Sequence, residues 1–405
     1  MATAPAAPAQ PLNPQPQTTG KSPGLNSFIA YSFPGNVPQF ATSYSGAGAG
    51  WGKTVTTALV GASGYYRRLR VKFTATGGVN GTTTVAVGPD APFNAVSQVL
   101  LRDAASNVNI INLPGWETFK LLPLISGSHG LWKYADPEEA PFYSAPSVGT
   151  AGTGDFQFLG ELPLEFGPEA LGVISADNTS VQPALNMTFA SDATVYTTAP
   201  GTVPALNAQV DADFWWNPSD PSMLPNGLGS SRQWGLNVGT PGVSNGSSQL
   251  VSFPKPGGGQ IESLTFVCRD STGARTDTAW PSRVQLAIDN TTYLNIDLDE
   301  LIQDAYIRFQ FPSNSDPMYN GSSGVDVAGA RPVGVLPISF RDSEFQVDTG
   351  LAQSGLTDIS TTPGTSIQLG GTGWRNVDAD ANSPYTITLV AGLIVPAGTL
   401  VATQG

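Results

Sequence analysis

One block of this sequence occurs twice. The first copy reads Val99-Leu100-Leu101-Arg102-Asp103, a polar turn, Asn109-Ile110-Ile111, and an apolar–polar run from Trp116 to Leu122. The second reads Val284-Gln285-Leu286-Ala287-Ile288-Asp289, a polar turn, Asn295-Ile296, and the run from Leu298 to Ile307. Asp289, Asn295 and Ile296 follow Asp103, Asn109 and Ile110 at a constant offset of 186 residues. Each copy reads as strand, turn, strand, short helix. Solenoid repeats recur every ~20–50 residues, so this offset describes a duplicated domain. The 405 residues leave room for two such domains, each able to bury a core.

Composition sets the class of domain. The chain has 46 glycines and 34 prolines, and only 12% of its residues are charged. Thr, Val, Ser and Asn fill the stretches between turns, and long Lys/Glu/Leu runs are absent, which is the pattern of an all-β protein with many turns. Strand patterns fall at Thr54–Val60, Leu69–Thr76, Thr82–Val87, Ala95–Arg102, Asn107–Asn112, Phe156–Glu165, Ala184–Ala190 and Val210–Trp216. In the second half they fall at Arg232–Val238, Gln249–Phe253, Ile261–Arg269, Arg283–Asp289, Thr292–Asp297, Gly334–Phe340, Glu344–Asp348, Thr365–Leu369, Tyr385–Val390 and Thr399–Val401. Apolar spacing predicts one short helix over Pro114–Leu122 and another over Leu298–Arg308. About eight strands and one helix per ~190 residues describe a Greek-key sandwich of jelly-roll type.

The resulting organisation is an extended Pro/Ala/Gln-rich arm (1–24), a first jelly roll (25–218), a linker (219–230) and a second jelly roll (231–405). Two shorter echoes support the duplication. Asp155-Phe156-Gln157 resembles Glu344-Phe345-Gln346, and Ala199 to Val203 resembles Pro396 to Leu400. Long Gly/Ser-rich connections, 126–154 and 313–329, follow the two helices. Ordered loops of that length are expected to contact a neighbour or to be displayed at a surface.

Charge excludes one class of partner. The net charge is −13, from 18 Lys and Arg against 31 acids, a field that repels phosphate backbones, so direct nucleic-acid binding is not expected. The basic cluster Arg67-Arg68-Arg70, beside Val71 and Phe73, reads as a solvated or interface strand face. The single cysteine, Cys268, lies in an apolar run and reads as a small core residue with no disulfide partner. The first twenty residues lack the apolar run of a secretion signal, and no window approaches the ~18 apolar residues of a membrane span. The six Asn-x-Ser/Thr sequons (Asn80, Asn178, Asn186, Asn245, Asn290, Asn320) are the expected yield of such a composition.

No motif reads as catalytic. Ala47-Gly-Ala-Gly-Trp-Gly-Lys53-Thr54 fits a relaxed phosphate-loop pattern, and Leu294-Asn-Ile296-Asp297 resembles its companion acidic strand. That chemistry needs a helix directly after the loop. The β-branched Thr54-Val-Thr-Thr57 follows instead, so the reading is a glycine loop entering a strand. Asp297, Asp299 and Glu300 read as the acidic first turn of a helix. Asp136, Glu138 and Glu139 form a second acidic cluster. Trp215-Trp216 beside Asp211 and Asp213 would suit sugar stacking next to a carboxylate pair. Asp378 and Asp380 lack the Gly and terminal Glu of a calcium loop. A nucleophilic pairing of His129, the only histidine, with Cys268 lacks a visible third partner. No catalytic, cofactor or metal residue is therefore assigned, and the chain is not expected to be an enzyme.

From Gly88-Pro89 to Leu122 the chain resembles the major capsid proteins of tectivirus-like phages, which are tailless and icosahedral with an internal membrane. The carrying residues are Gly88-Pro89, Phe93-Asn94-Ala95-Val96, Gln98-Val99, Asp103, Gly115-Trp116 and the short helix after them. Gly160-Glu161-Leu162, the strand Leu185–Phe189 and Asp211-Ala212-Asp213-Phe214 fall where that family has comparable strands. The resemblance implies a double jelly roll whose homotrimers, pseudo-hexagonal in outline, tile an icosahedral virion shell after synthesis in the host cytoplasm. It also implies contact with neighbouring capsomers, with penton and minor capsid proteins, and indirectly with an internal membrane. One departure concerns the arm, which in that family is typically an amphipathic helix near the membrane and here is proline-rich with no helical stripe. Two other readings compete. One is a jelly-roll spike that binds a receptor or carbohydrate. The other is a secreted β-sandwich glycosidase, which would require a signal peptide.

Overall fold

The computed structural model describes residues 32–60, 63–103, 108–126, 137–165, 173–176, 182–217, 231–239, 248–253, 259–309, 331–340, 360–361, 366–374 and 384–395. The first half contains β1 (Pro34–Ala41), β2 (Thr54–Ala58), β3 (Gly64–Thr76), β4 (Ala86–Val87), β5 (Val96–Asp103), β6 (Val108–Leu113), β7 (Phe156–Pro163), β8 (Ile174–Ser175), β9 (Ala184–Phe189), β10 (Tyr196–Thr198) and β11 (Ala205–Trp216). The second contains β12 (Ser231–Gly239), β13 (Ser248–Phe253), β14 (Gly259–Arg269), β15 (Arg283–Ile288), β16 (Thr291–Asp297), β17 (Val335–Ser339), β18 (Ser360–Thr361), β19 (Ile367–Thr372) and β20 (Thr386–Val395). A helix follows β6, opening with a wide π turn (Glu117–Leu121) and continuing as α1 (Leu122–Ser126). Two more are α2 (Asp192–Val195) and α3 (Leu298–Phe309).

Period-2 patterning makes the sheets two-faced. Along β3, Leu69, Val71, Phe73 and Ala75 are fully buried, while Arg68, Arg70 and Lys72 alternate with them on the outer face. The β15–β16 hairpin turns on Asp289 and Asn290, both at positive φ, as a two-residue hairpin requires.

The topology is the same twice. Without the two- and three-residue strands β4, β8, β10 and β18, eight described strands remain in each half. Numbered along each half, they pair in the order 1-8-3-6 in one sheet and 2-7-4-5 in the other: β1-β11-β3-β7 with β2-β9-β5-β6, and β12-β20-β14-β17 with β13-β19-β15-β16. This is jelly-roll connectivity. The repeated sequence block occupies strands four and five and the following helix of each barrel.

The two barrels share a sheet. β6 pairs in parallel with β12 through Trp234↔Ile111 and Gly235↔Asn112, joining β2-β9-β5-β6 to β12-β20-β14-β17. The first barrel's core extends across this seam to include Trp234, Val267, Ala305, Val335 and Val390. Because β6 and β12 run in the same direction, the barrels stand the same way up. The pairings Pro34↔Trp215, Gly64↔Trp216 and Ser231↔Val395 put the starts of β1, β3 and β12 and the ends of β11 and β20 at one pole. The segments 42–53, 77–92 and 190–204, with 270–282 and residues 373–374 and 384–385 of the second barrel, lie at the other, which we call the upper pole.

Several local expectations change. β1 falls outside the strand patterns because Pro34 and Pro38 argue against a strand, yet proline is tolerated at an edge, and β1 pairs with β11 alone. Thr82–Val87 shrinks to the two-residue β4, because residues 81–84 are a loop. The first helix runs on to Ser126. The echo between 155–157 and 344–346 is not an equivalence, since the counterpart of β7 is β17. Residues 199–203 precede the eighth strand of their barrel, whereas 396–400 follow theirs. Segments 1–24, 219–230, 313–329, 344–348 and 399–401 lie outside the described residues.

Candidate functional site

The sequence's chemical candidates disperse once placed. Gly46, Gly48, Gly50 and Gly52 all take positive φ in a turn over 46–52, and Lys53 leads into β2. Trp51 anchors this turn, donating its indole N–H to the Pro204 carbonyl at 2.8 Å and meeting Phe156 and Tyr196 edge-on. No helix N-terminus is available there to face a phosphate. Asp297 pairs with Arg283 at 2.9 Å in a solvent-exposed bridge, and Asp299 and Glu300 occupy the first turn of α3. Glu138 accepts from buried Lys120 at 2.8 Å. Cys268 is fully buried, and burial pushes its thiol pKa up, so it is an inert core residue. His129, Asp136, Asp378 and Asp380 lie outside the described residues, and of Glu139 only the backbone is described. Among the described residues no cluster of His, Cys, Asp and Glu could hold a metal ion.

The basic cluster on β3 is paired rather than freely solvated. Arg67 is buried against Glu165 at 2.7 Å and lies over the Trp215 ring at 4.3 Å, while the Trp215 indole donates to the same carboxylate at 3.1 Å. Burial raises the Glu165 pKa, against the lowering effect of Arg67 and Trp215. On the outer face of β3, Arg68 bridges Asp213 at 2.6 Å and Glu161 at 3.0 Å, and Arg70 reaches Asp213 at 2.9 Å. Asn36 of β1 adds a 2.8 Å bond to Asp213. Burial alone would raise the Asp213 pKa, but bonds from Arg68 and Asn36 outweigh it and hold the carboxyl below its ordinary value. Asp213 is thus tied to cations and does not form a carboxylate pair beside Trp215 and Trp216.

A second network, with no local signal in the sequence, spans the seam. Asp90, at φ 64°, accepts from Arg269 and, at 2.6 Å, from Arg275. Arg269 also bonds Glu117 at 2.8 Å. Both guanidiniums lie against the Trp116 ring, at 5.3 Å and 4.2 Å from its centre. Asp90, Trp116 and Glu117 come from the first barrel, and both arginines come from the end of β14 and the turn after it. Burial disfavours the charged form of Arg269, but Asp90 and Glu117 more than offset this and raise its pKa. This clamp pins the upper pole of the seam.

Two outer strands carry few charges. β16 is the outer strand of its sheet, largely exposed, with Tyr293 48% accessible. β1 is the outer strand of the opposite barrel and follows Phe33, which is 71% accessible. Neither carries a lysine or arginine.

No family model and no curated protein matches this sequence. Solved structures do match it. The atomic structure of Sulfolobus Turreted Icosahedral Virus aligns with 90% of this chain and 91% of its own at 14% identity and a TM-score of 0.59. The PBCV-1 virus capsid aligns with 93% and 95% of the two chains at 11% identity and a TM-score of 0.54. The Faustovirus major capsid protein aligns with 95% and 93% at 9% identity and a TM-score of 0.53. At these identities the likeness is one of fold, and the fold is a double jelly roll.

Proposed function

We propose that this chain is the major capsid protein of an icosahedral virus, a structural subunit rather than an enzyme, located in the virion shell. The parallel β6–β12 seam carries the reading. It fuses two barrels in parallel, with the starts of β1 and β12 at one pole and segments 42–53, 77–92 and 270–282 at the other, so the product is a tile with two distinct faces. A shell subunit needs such a tile and large self-complementary sides, and it has no use for a catalytic cleft. The solved structures with the same fold and nearly the same length come from virus capsids, which favours a shell protein over a spike.

Three copies form a homotrimer in which six barrels give a pseudo-hexagonal outline, and residues 1–24 act as an arm outside barrels 25–218 and 231–405. The negative charge suits a shell kept apart from its genome, as an internal membrane would keep it. Penton and minor capsid proteins are the expected further partners. Light scattering and negative-stain imaging of the purified chain test the proposal. The expected result is stable trimers of hexagonal outline. A monodisperse monomer at every salt concentration overturns it.

A further inference from the structure

One face of the sheet β12-β20-β14-β17 is turned toward the first barrel. Paired positions on it run Trp234–Gly392–Ser263 and, one row further up, Leu236–Val390–Thr265. Trp234 and Val390 belong to the core of the first barrel, as does Val267, the next residue of β14 on this face. Two hydroxyls therefore stand in an apolar contact between the barrels.

Ser263 and Thr265 are two apart on β14, so their side chains leave the same face of the sheet. Thr265 is fully buried and Ser263 is 4% accessible. Neither hydroxyl oxygen reaches solvent, and neither has a hydrogen-bond partner. The backbone around them is already engaged, because β14 pairs with β20 on one side and with β17 on the other. A buried hydroxyl without a bond is costly, and proteins satisfy such groups with internal water where no protein partner is at hand.

We propose that Ser263 and Thr265 hold one buried water between the barrels, bonded to both hydroxyls. Same-face positions on a strand are about 6.6 Å apart, a gap that a water spans with two bonds of about 2.8 Å when the hydroxyls lean toward it. The donor set selects the ligand. Each hydroxyl can donate one bond and accept others, which suits water. A metal ion finds no carboxylate, thiolate or imidazole cluster there, since the described residues contain none. An apolar ligand would leave both oxygens unsatisfied. Gly392 lets the site close: a Cβ at that position would lie 2.5 Å from Cζ3 of Trp234 and 2.9 Å from Ser263 Oγ, so ring and hydroxyl converge over the glycine. Trp234 is also the residue that pairs with Ile111 across the seam. The water thus lies in the same row as the short β6–β12 ladder and adds a polar link to it, well away from the clamp of Asp90, Arg269 and Arg275.

A high-resolution structure of the full-length chain tests the site directly: one water should lie within hydrogen-bond distance of both Ser263 Oγ and Thr265 Oγ1. A double-mutant cycle tests it in solution. Thr265→Val keeps the shape of the side chain and removes the hydroxyl, and Ser263→Ala does the same at the neighbouring position. Each single variant should melt below wild type, because the water and the other hydroxyl lose a partner. The double variant should lose less than the sum of the two, because it removes both ligands of one water. Far-UV circular dichroism checks folding in each case. Hydroxyls that bind nothing would behave differently: removing either would leave the melting temperature unchanged or raise it. That result overturns the proposal, as do strictly additive losses or a map with no water shared by the two oxygens.

Discussion

Asp213 shows how a single carboxylate gives the fold a pH limb. Its pKa is held below the unfolded value, so it contributes stability above the ordinary carboxylate pKa and loses that contribution as pH falls through the folded value. Asp213→Asn should therefore lower the melting temperature at pH 7, and the gap from wild type should narrow below about pH 4. Thermal melts across pH read this directly, and a gap that stays constant contradicts it. Glu165 has the opposite sign: its raised pKa means its contribution is present at low pH and is lost as pH rises. At the seam, Asp90→Ala removes the shared partner of Arg269 and Arg275, side chains only 17% and 7% accessible. Taking the shared carboxylate from two buried guanidiniums, which keep Glu117 and the Val333 carbonyl, should cost on the order of 3 kcal/mol in denaturant unfolding. The pairing in this clamp does not announce itself in the sequence, because Asp90 lies 179 and 185 positions from its arginines and no local pattern connects them. Cys268 and the acidic start of α3 were legible, since each depends only on its immediate neighbours.

The elements that could be read in advance are those built from local rules. The strand–turn–strand–helix block was visible because strands four and five are adjacent in sequence and joined by short turns. β1 was invisible because its prolines make sense only once its edge position is known. The helix after β6 rests on β7 where Gly160 has no side chain: a Cβ there would sit 2.2 Å from Phe119 Cδ1. Phe119 is fully buried and touches Phe73 and Phe158. Gly160→Val should force that ring out of its place and cost about 1–3 kcal/mol, as overpacking of a close-packed core usually does. A variant as stable as wild type would show that the helix can slide on the sheet. The equivalence of the two barrels was legible only through the repeated block. The echoes at 344 and 396 failed because short similarities do not track strand order, whereas the hydrogen-bonded pairing does.

At the scale of the whole chain, two barrels with one continuous sheet and a shared apolar seam should unfold together. Calorimetry of the wild type should give one transition. Asp90→Ala combined with Trp234→Ala, which empties a buried seam position, should separate it into two. A wild type that already melts in two steps would mean that the seam contributes little. The shared sheet also explains why halves of similar topology carry different sequences. β6 and β12 meet within a chain and are free of proline, whereas β1, the counterpart of β12, carries two. The polarity set by Trp234↔Ile111 bears on engineering as well. A peptide epitope spliced beside exposed Val79 or Val148 would be presented on one side of an assembled sheet of these proteins, opposite the side from which β1 and β12 start.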